Sequence, residues 1–339
     1  MTTAGARIPT FTGAHRASAA LSPYVLPIRP AQVAVWVLAA VCCLADQSPE
    51  TELLAALVVG ATSVRLAGRH FAGWALTWVR YRLLRHDDRR LGTDPLLVLA
   101  PDFRLRQHHD RAGNRFGVIG SGNGWTAVLR LTTEPDVRWL SGLLRHVCEN
   151  EEIPLAGAQL VARSERGRRV HLVALRYRPA DAPLAALSRG PGELGEHRAL
   201  VRAALNLLGT LAEAGYPATI LEAGELAAEL RATLGVQGEP AAVSDGWRAW
   251  SAAGTTQACF TPRADLESAF HAGARQAAFT VASFSLRRTS RGRLREDVVL
   301  RVVEHRRAPR ADDLDVVAVP LYGRHESAVR RTLPLACAR

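Results

Sequence analysis

The sequence predicts an α+β protein in two parts: a helical hairpin that crosses a membrane, then a largely antiparallel cytoplasmic α+β domain. Three observations carry this. Two apolar runs, 31–45 and 53–66, lie close together near the amino end. Arginine crowds both flanks of that pair while the bend between the runs is acidic. From about residue 96 onward, short alternating segments are interleaved with helical ones.

The chain has 339 residues and a formal charge of +11. Every basic residue other than histidine is arginine, which excludes lysine chemistry, including Schiff bases and the P-loop lysine. The excess of positive charge suits an anionic partner. The five cysteines are scattered and make no CxxC pair, which suits a reducing compartment.

Residues 1–22 are rich in Ala, Thr, Ser and Gly, without a period, and read as a flexible tail. They do not read as a cleaved leader, since the apolar run begins only after Pro30. The hairpin is assigned to residues 23–70. Its first run is AQVAVWVLAAVCCLA and its second LLAALVVGATSVRL, joined by DQSPETE. Each gives about 20–25 Å of helix against a hydrocarbon core of about 30 Å. Flanking residues would complete the crossing: YVLPI lengthens the first span, Arg65 and Arg69 snorkel from the end of the second, Trp74 and Trp78 fall at interfacial depth, and Arg29 and Trp36 join them as anchoring residues. The positive-inside rule then puts both termini in the cytoplasm of a two-pass inner-membrane protein. Residues 71–95 read as a basic juxtamembrane helix and linker, WVRYRLLRHDDRR, which stops at Gly92 and Pro95 and would meet anionic lipid.

Within 96–339, strands are expected at 114–120, 125–132, 158–163, 170–177, 217–221, 255–260, 277–287 and 295–303. Helices are expected at 135–149, 195–214, 222–233, 262–272 and 325–333. Glu134 and Asp136 suit the start of the first. A loose two-fold recurrence of strand–strand–helix runs through this part.

GVIGSGNGWTAVLRL, 117–131, raises the question of a phosphate loop. Its glycines match neither G-x-x-x-x-G-K nor G-x-G-x-x-G, and WTAVLRLT alternates as a strand does, so SGNG reads as a hairpin turn. No other motif points to catalysis. His108-His109-Asp110 lacks the i, i+4 spacing of helical metal ligands, and RLRQHHDRAGN reads as a surface loop. PRADDLDVV reads as a loop and helix start, a G-x-S-x-G elbow is absent, and His146, His171, His197 and His305 have no evident orienting partner. No catalytic residue, metal ligand, cofactor or small-molecule substrate is therefore assigned. Two basic hairpin tips remain, Arg166, Arg168 and Arg169 in one and Arg291 and Arg293 in the other. They lack the aromatic interleaving of single-strand binders, so they read as partner contacts, not as a nucleic-acid site.

The order of these segments resembles the EccE family of type VII (ESX) secretion. The resemblance is carried by RPAQVAVWVLAAV, RFGVIGSGNGWTAVLRL, EHRALVRAALNLLGTLAEAGYPATILEAGELAAEL, DGWRAW, TTQACF, FTVASFSLRR and the terminal LPLACAR. It implies a non-catalytic accessory subunit of an actinobacterial inner-membrane core complex. That subunit would scaffold beside EccB-, EccC- and EccD-like subunits during export of WXG100-type proteins. The alternative from another class is a membrane-attached transferase acting on a nucleotide-sugar or lipid-linked substrate. A soluble basic nucleic-acid binder is a third, less suited to this pattern.

Overall fold

The computed structural model describes residues 30–63, 65–66, 69–84, 89–149, 152–236, 241–289, 291–305 and 307–336. The expected tail, 1–22, and Arg29 lie outside them. The chain forms two compact units, 1–74 and 75–339.

The first unit holds helices α1 (Pro30–Ala45) and α2 (Pro49–Ser63), then a two-stranded ribbon of β1 (Arg65–Leu66) and β2 (Arg69–His70). Asp46 accepts from the Ser48 amide and the Thr51 hydroxyl, so the acidic bend is an internally bonded turn. The helices are where the apolar runs predict them, but the membrane-spanning hairpin is not supported. Among the described residues no helix is long and apolar enough to cross a membrane. The physical reason is length. The 16 residues of α1 and 15 of α2 rise to about 24 and about 22 Å at 1.5 Å each. As described, α1 opens on Pro30, α2 opens on Pro49, Glu50 and Glu52, and Arg65 is already in a strand. The Trp36 indole N–H donates to Thr62 Oγ1 at 2.9 Å, fastening α1 to α2.

Helix α3 (Phe71–Leu84) follows. The second unit then runs β3 (Arg89–Thr93), α4 (Pro95–Leu99), β4 (Arg104–His109), β5 (Arg115–Ser121), β6 (Gly124–Leu131), α5 (Val137–Glu149), β7 (Gly157–Glu165), β8 (Arg168–Tyr177), α6 (Pro183–Leu187) and α7 (Gly192–Glu213). It continues with β9 (Ala218–Ile220), α8 (Ala223–Leu234), β10 (Ala241–Asp245), β11 (Trp250–Ala252), β12 (Thr255–Pro262), α9 (Leu266–His271), β13 (Phe279–Arg288), β14 (Leu294–Glu304), a 3-10 turn at Ala311–Asp313, β15 (Ala318–Pro320) and α10 (His325–Arg331).

Thirteen of these strands form one sheet in the order β3-β10-β11-β12-β14-β13-β7-β8-β6-β5-β4, with β15 added to β12 and β9 to β6. Every pairing is antiparallel. The mixed α+β architecture with a large antiparallel sheet therefore stands. The middle strands are apolar on both faces because helices cover both. One face packs under α5, α6, α7 and α9, the other under α4, α8 and α10.

The two-fold recurrence becomes an approximate dyad between β7 and β13. On one side stand β7, β8, β6 and β5, with β9 extending β6. On the other stand β13, β14, β12 and β11, with β15 extending β12. Helices α5 and α9 are equivalent, as are α8 and α10.

The glycine-rich stretch makes the β5–β6 hairpin. Gly122 sits at φ +56°, where a type II′ turn requires glycine. Gly120 leaves room for the Trp125 ring, which a Cβ would meet at 2.8 Å. A Cβ on Gly122 meets nothing, so Gly122→Ala isolates the backbone cost. It is expected to destabilise by about 1 kcal/mol in urea unfolding; an unchanged midpoint would show that the turn does not need positive φ.

The helix starts follow from their caps. Asp136 accepts from the Arg138 and Trp139 amides at 2.8 and 3.0 Å, starting α5. Asp265 does the same for α9 through Glu267 and Ser268. RLRQHH is not a loop as expected but β4, the terminal strand of the sheet.

Candidate functional site

The densest arrangement of polar side chains outside the sheet lies between β4 and α7. The pleat sends Arg104, Arg106 and His108 to one face and Leu105, Gln107 and His109 to the other. The first set meets α7, which brings His197, Arg198, Val201, Arg202 and Leu205 along one side by helical spacing. Between them opens a cleft of about 370 Å³. Arg111, Arg198 and Arg202 ring it with His108, His109 and Asp110, and Val201 and Leu205 supply its apolar part.

Next to the cleft along β4 and α7, Trp125 is buried, 2% exposed. Its indole N–H donates to Glu196 Oε2 at 2.6 Å. The His197 ring stands edge-on to it, at 4.2 Å and 88°, with His108 5.9 Å further along. The Arg104 guanidinium lies over the indole at 5.1 Å and pairs with Glu193 at 3.3 Å.

Burial, followed by the neighbouring His108, pulls His197 down to about 4; Arg106 and Arg104 add to this and Glu193 opposes it. His108 is lowered by burial and then by the Arg198 charge. Both imidazoles are therefore neutral at neutral pH. The positive potential comes from permanently charged guanidinium groups, and the cleft can attract carboxylate or phosphate without itself titrating. Asp110 sets one negative charge against the three guanidinium groups of the rim. Its carboxylate is tied to Asn114 and to the Ala112 amide inside the β4–β5 turn, which lowers it.

A smaller polar hollow of about 250 Å³ sits near the turn end of the β7–β8 hairpin, lined by Thr132, Thr133, Glu134, Ser164, Arg169 and His171. Arg169 donates to Glu134 at 2.6 Å, and this bond is the main reason that carboxylate is lowered. Predicted contact residue Arg169 is thus engaged within the fold, while Arg166 and Arg168 are exposed at the tip. Arg291 and Arg293 are exposed too, but at the far end of the sheet. β7 and β13 run antiparallel, Ser164 opposite Thr280 and Gly157 opposite Arg287. The two tips are therefore not brought together.

Of the other singled-out residues, Trp78 is exposed and Trp74 half-buried, while the side chains of Arg65 and Arg69 lie outside the described residues. No group of three or more His, Cys, Asp or Glu that could hold a metal occurs among the described residues. Burial pushes the Cys148 and Cys259 thiols up to about 12, which leaves both protonated and poor as nucleophiles. The β4–α7 cleft was missed in the sequence because its arginines come from segments some ninety residues apart. Arg104, Arg106 and Arg111 are as unremarkable locally as Arg198 and Arg202. The only signal was the alternation in RLRQHH.

Comparison with known proteins defines the class. Residues 166–261, from the β7–β8 turn into β12, match a family model for a component of the type VII secretion system. That family is EccE, described as "Putative type VII ESX secretion system translocon, EccE", and the segment is similar to it. No curated protein matches the chain.

Proposed function

We propose that the chain is a non-catalytic accessory subunit of a type VII secretion membrane complex, whose second unit is a scaffold that binds neighbouring subunits. The observation that carries this is the EccE match over 166–261, which covers α7, α8 and the strands around them. The geometry supports it. The cleft between β4 and α7 is ringed by Arg111, Arg198 and Arg202, permanent charges suited to an acidic partner surface. The partners are EccB-, EccC- and EccD-like subunits, and the cargo is WXG100-type protein. The exposed tips at Arg166 and Arg168, and at Arg291 and Arg293, are separate contact points, and the net charge of +11 suits anionic lipid beside the complex.

The test is tagged purification from the native host together with deletion of the gene. Other secretion subunits are expected to co-purify, and export of WXG100-type proteins is expected to fail until the gene is restored. Co-purification of none of them, with export undisturbed by the deletion, would refute the proposal.

A further inference from the structure

We infer that the free edge of β4 receives an extended, carboxylate-bearing segment of a partner protein as an added strand. The inference rests on the reading of the chain as a partner-binding subunit, and it names the surface and the chemistry of the partner.

Among the described residues β4 ends the sheet on one side, and its groups without a ladder partner can be identified. The Asp110 amide donates to the Asn114 carbonyl at 3.1 Å, continuing the β4–β5 register. On β5, the Gly117 amide turns the other way, to Leu221 at 2.8 Å. Antiparallel pairing alternates, so Arg104, Arg106 and His108 bond to β5, and the N–H and C=O groups of Leu105, Gln107 and His109 point off the sheet. Three alternate residues form an open edge of the kind that strand addition uses.

Such edges are usually blunted by proline, a bulge or charged side chains projecting along them. β4 contains no proline, and its six residues pair with β5 in unbroken register. Its two arginines stand on one face toward α7 instead of along the edge. On the other face, Gln107 accepts from the Ala223 amide at 2.9 Å and so ties β4 to the start of α8. The edge is held straight from behind and left open in front.

Charge selects the occupant. Side chains of an added strand alternate between the two faces, and those on the α7 side would run past Arg106 toward the cleft ringed by Arg198 and Arg202. Carboxylates at alternate positions complement that row, whereas basic side chains are repelled.

The experiment is amide exchange on the full chain with three probe peptides: alternating glutamate–valine, alternating arginine–valine, and alternating glutamate–proline, which keeps the charge but cannot pair as a strand. Glutamate–valine is expected to slow exchange at Leu105, Gln107 and His109 about tenfold or more, with the other two peptides without effect. His109→Pro removes an outward N–H while sparing the β4–β5 bonds and should abolish the protection. Arg198→Glu with Arg202→Glu should weaken it about tenfold and keeps the test valid if His109→Pro disturbs the strand. No protection from glutamate–valine overturns the inference, as does equal binding of glutamate–proline or arginine–valine. If secretion subunits co-purify and β4 stays unprotected, strand docking fails and the proposed function survives.

Discussion

Replacing Arg301 with alanine is expected to destabilise the second unit by about 3–5 kcal/mol, read as a lower urea midpoint with little change in slope. Arg301 is fully buried in β14. It donates to Gln257 Oε1 at 2.8 Å and to the Thr233 carbonyl. Gln257 in turn donates to the Leu234 carbonyl at 2.7 Å. Thr233 and Leu234 close α8, whose chain then turns at Gly235 with φ +79°. A helix end buried under other elements leaves carbonyls without donors, and here a guanidinium and an amide from the sheet supply them. The cation also faces the negative end of the helix, which suits a buried arginine whose bonds, among the described residues, go to an amide oxygen and a carbonyl. Burial pulls it down to about 10, so it stays charged at neutral pH. Arg301→Met fills most of the volume but offers no donor, and a smaller loss of about 1–3 kcal/mol is expected. A methionine variant as stable as the wild type would show that these bonds contribute nothing net.

Mild acid is expected to weaken the fold before its carboxylates titrate. His197 and His325 are both lowered to about 4, first by burial. They lie on opposite faces of the sheet, His197 beside Trp125 and His325 accepting from the Cys259 amide at 3.1 Å. A folded-state value below the unfolded one means that the unfolded chain binds more protons. The contribution is complete above about pH 6.5 and is lost as pH falls from there toward about 4. At about 1.4 kcal/mol per unit, each histidine withdraws up to about 3 kcal/mol across that window. His171 and His108, lowered by burial as well, act in the same direction. Urea midpoints at pH 7 and pH 5 should therefore differ clearly, and His197→Asn should flatten part of the slope. A midpoint that does not move between those two values would contradict the burial of both rings.

Much of the second unit was legible in the sequence. The central strands β6, β7, β8, β13 and β14 were found within one to three residues. They lie under helices on both faces, and their apolar runs are bounded by turn residues. Asp136 marked the start of α5 by the chemistry that caps it. The failures have specific causes. The charge asymmetry marks α1 and α2 as membrane spans, yet each falls about a fifth to a quarter short of a hydrocarbon core. β4 was taken for a loop because only Leu105 among its six residues is a large aliphatic, as befits a strand covered incompletely and open along one side. The candidate cleft could not be read locally, since β4 and α7 meet only through the order of strands in the sheet. His197 looked isolated in sequence, and its aromatic partner, Trp125, lies seventy-two residues earlier.

The dyad between β7 and β13 means that most positions have a counterpart built on the same plan. Whatever one half has gained can be measured against the other, which serves as an internal reference. β5 is flanked by the open β4, whereas its counterpart β11 is flanked by β10 and then by β3, joined through an irregular register. Among the described residues the sheet thus has two unlike margins: one half ends on β4 in regular register, and the other carries one strand more and ends on β3 behind a bulged pairing.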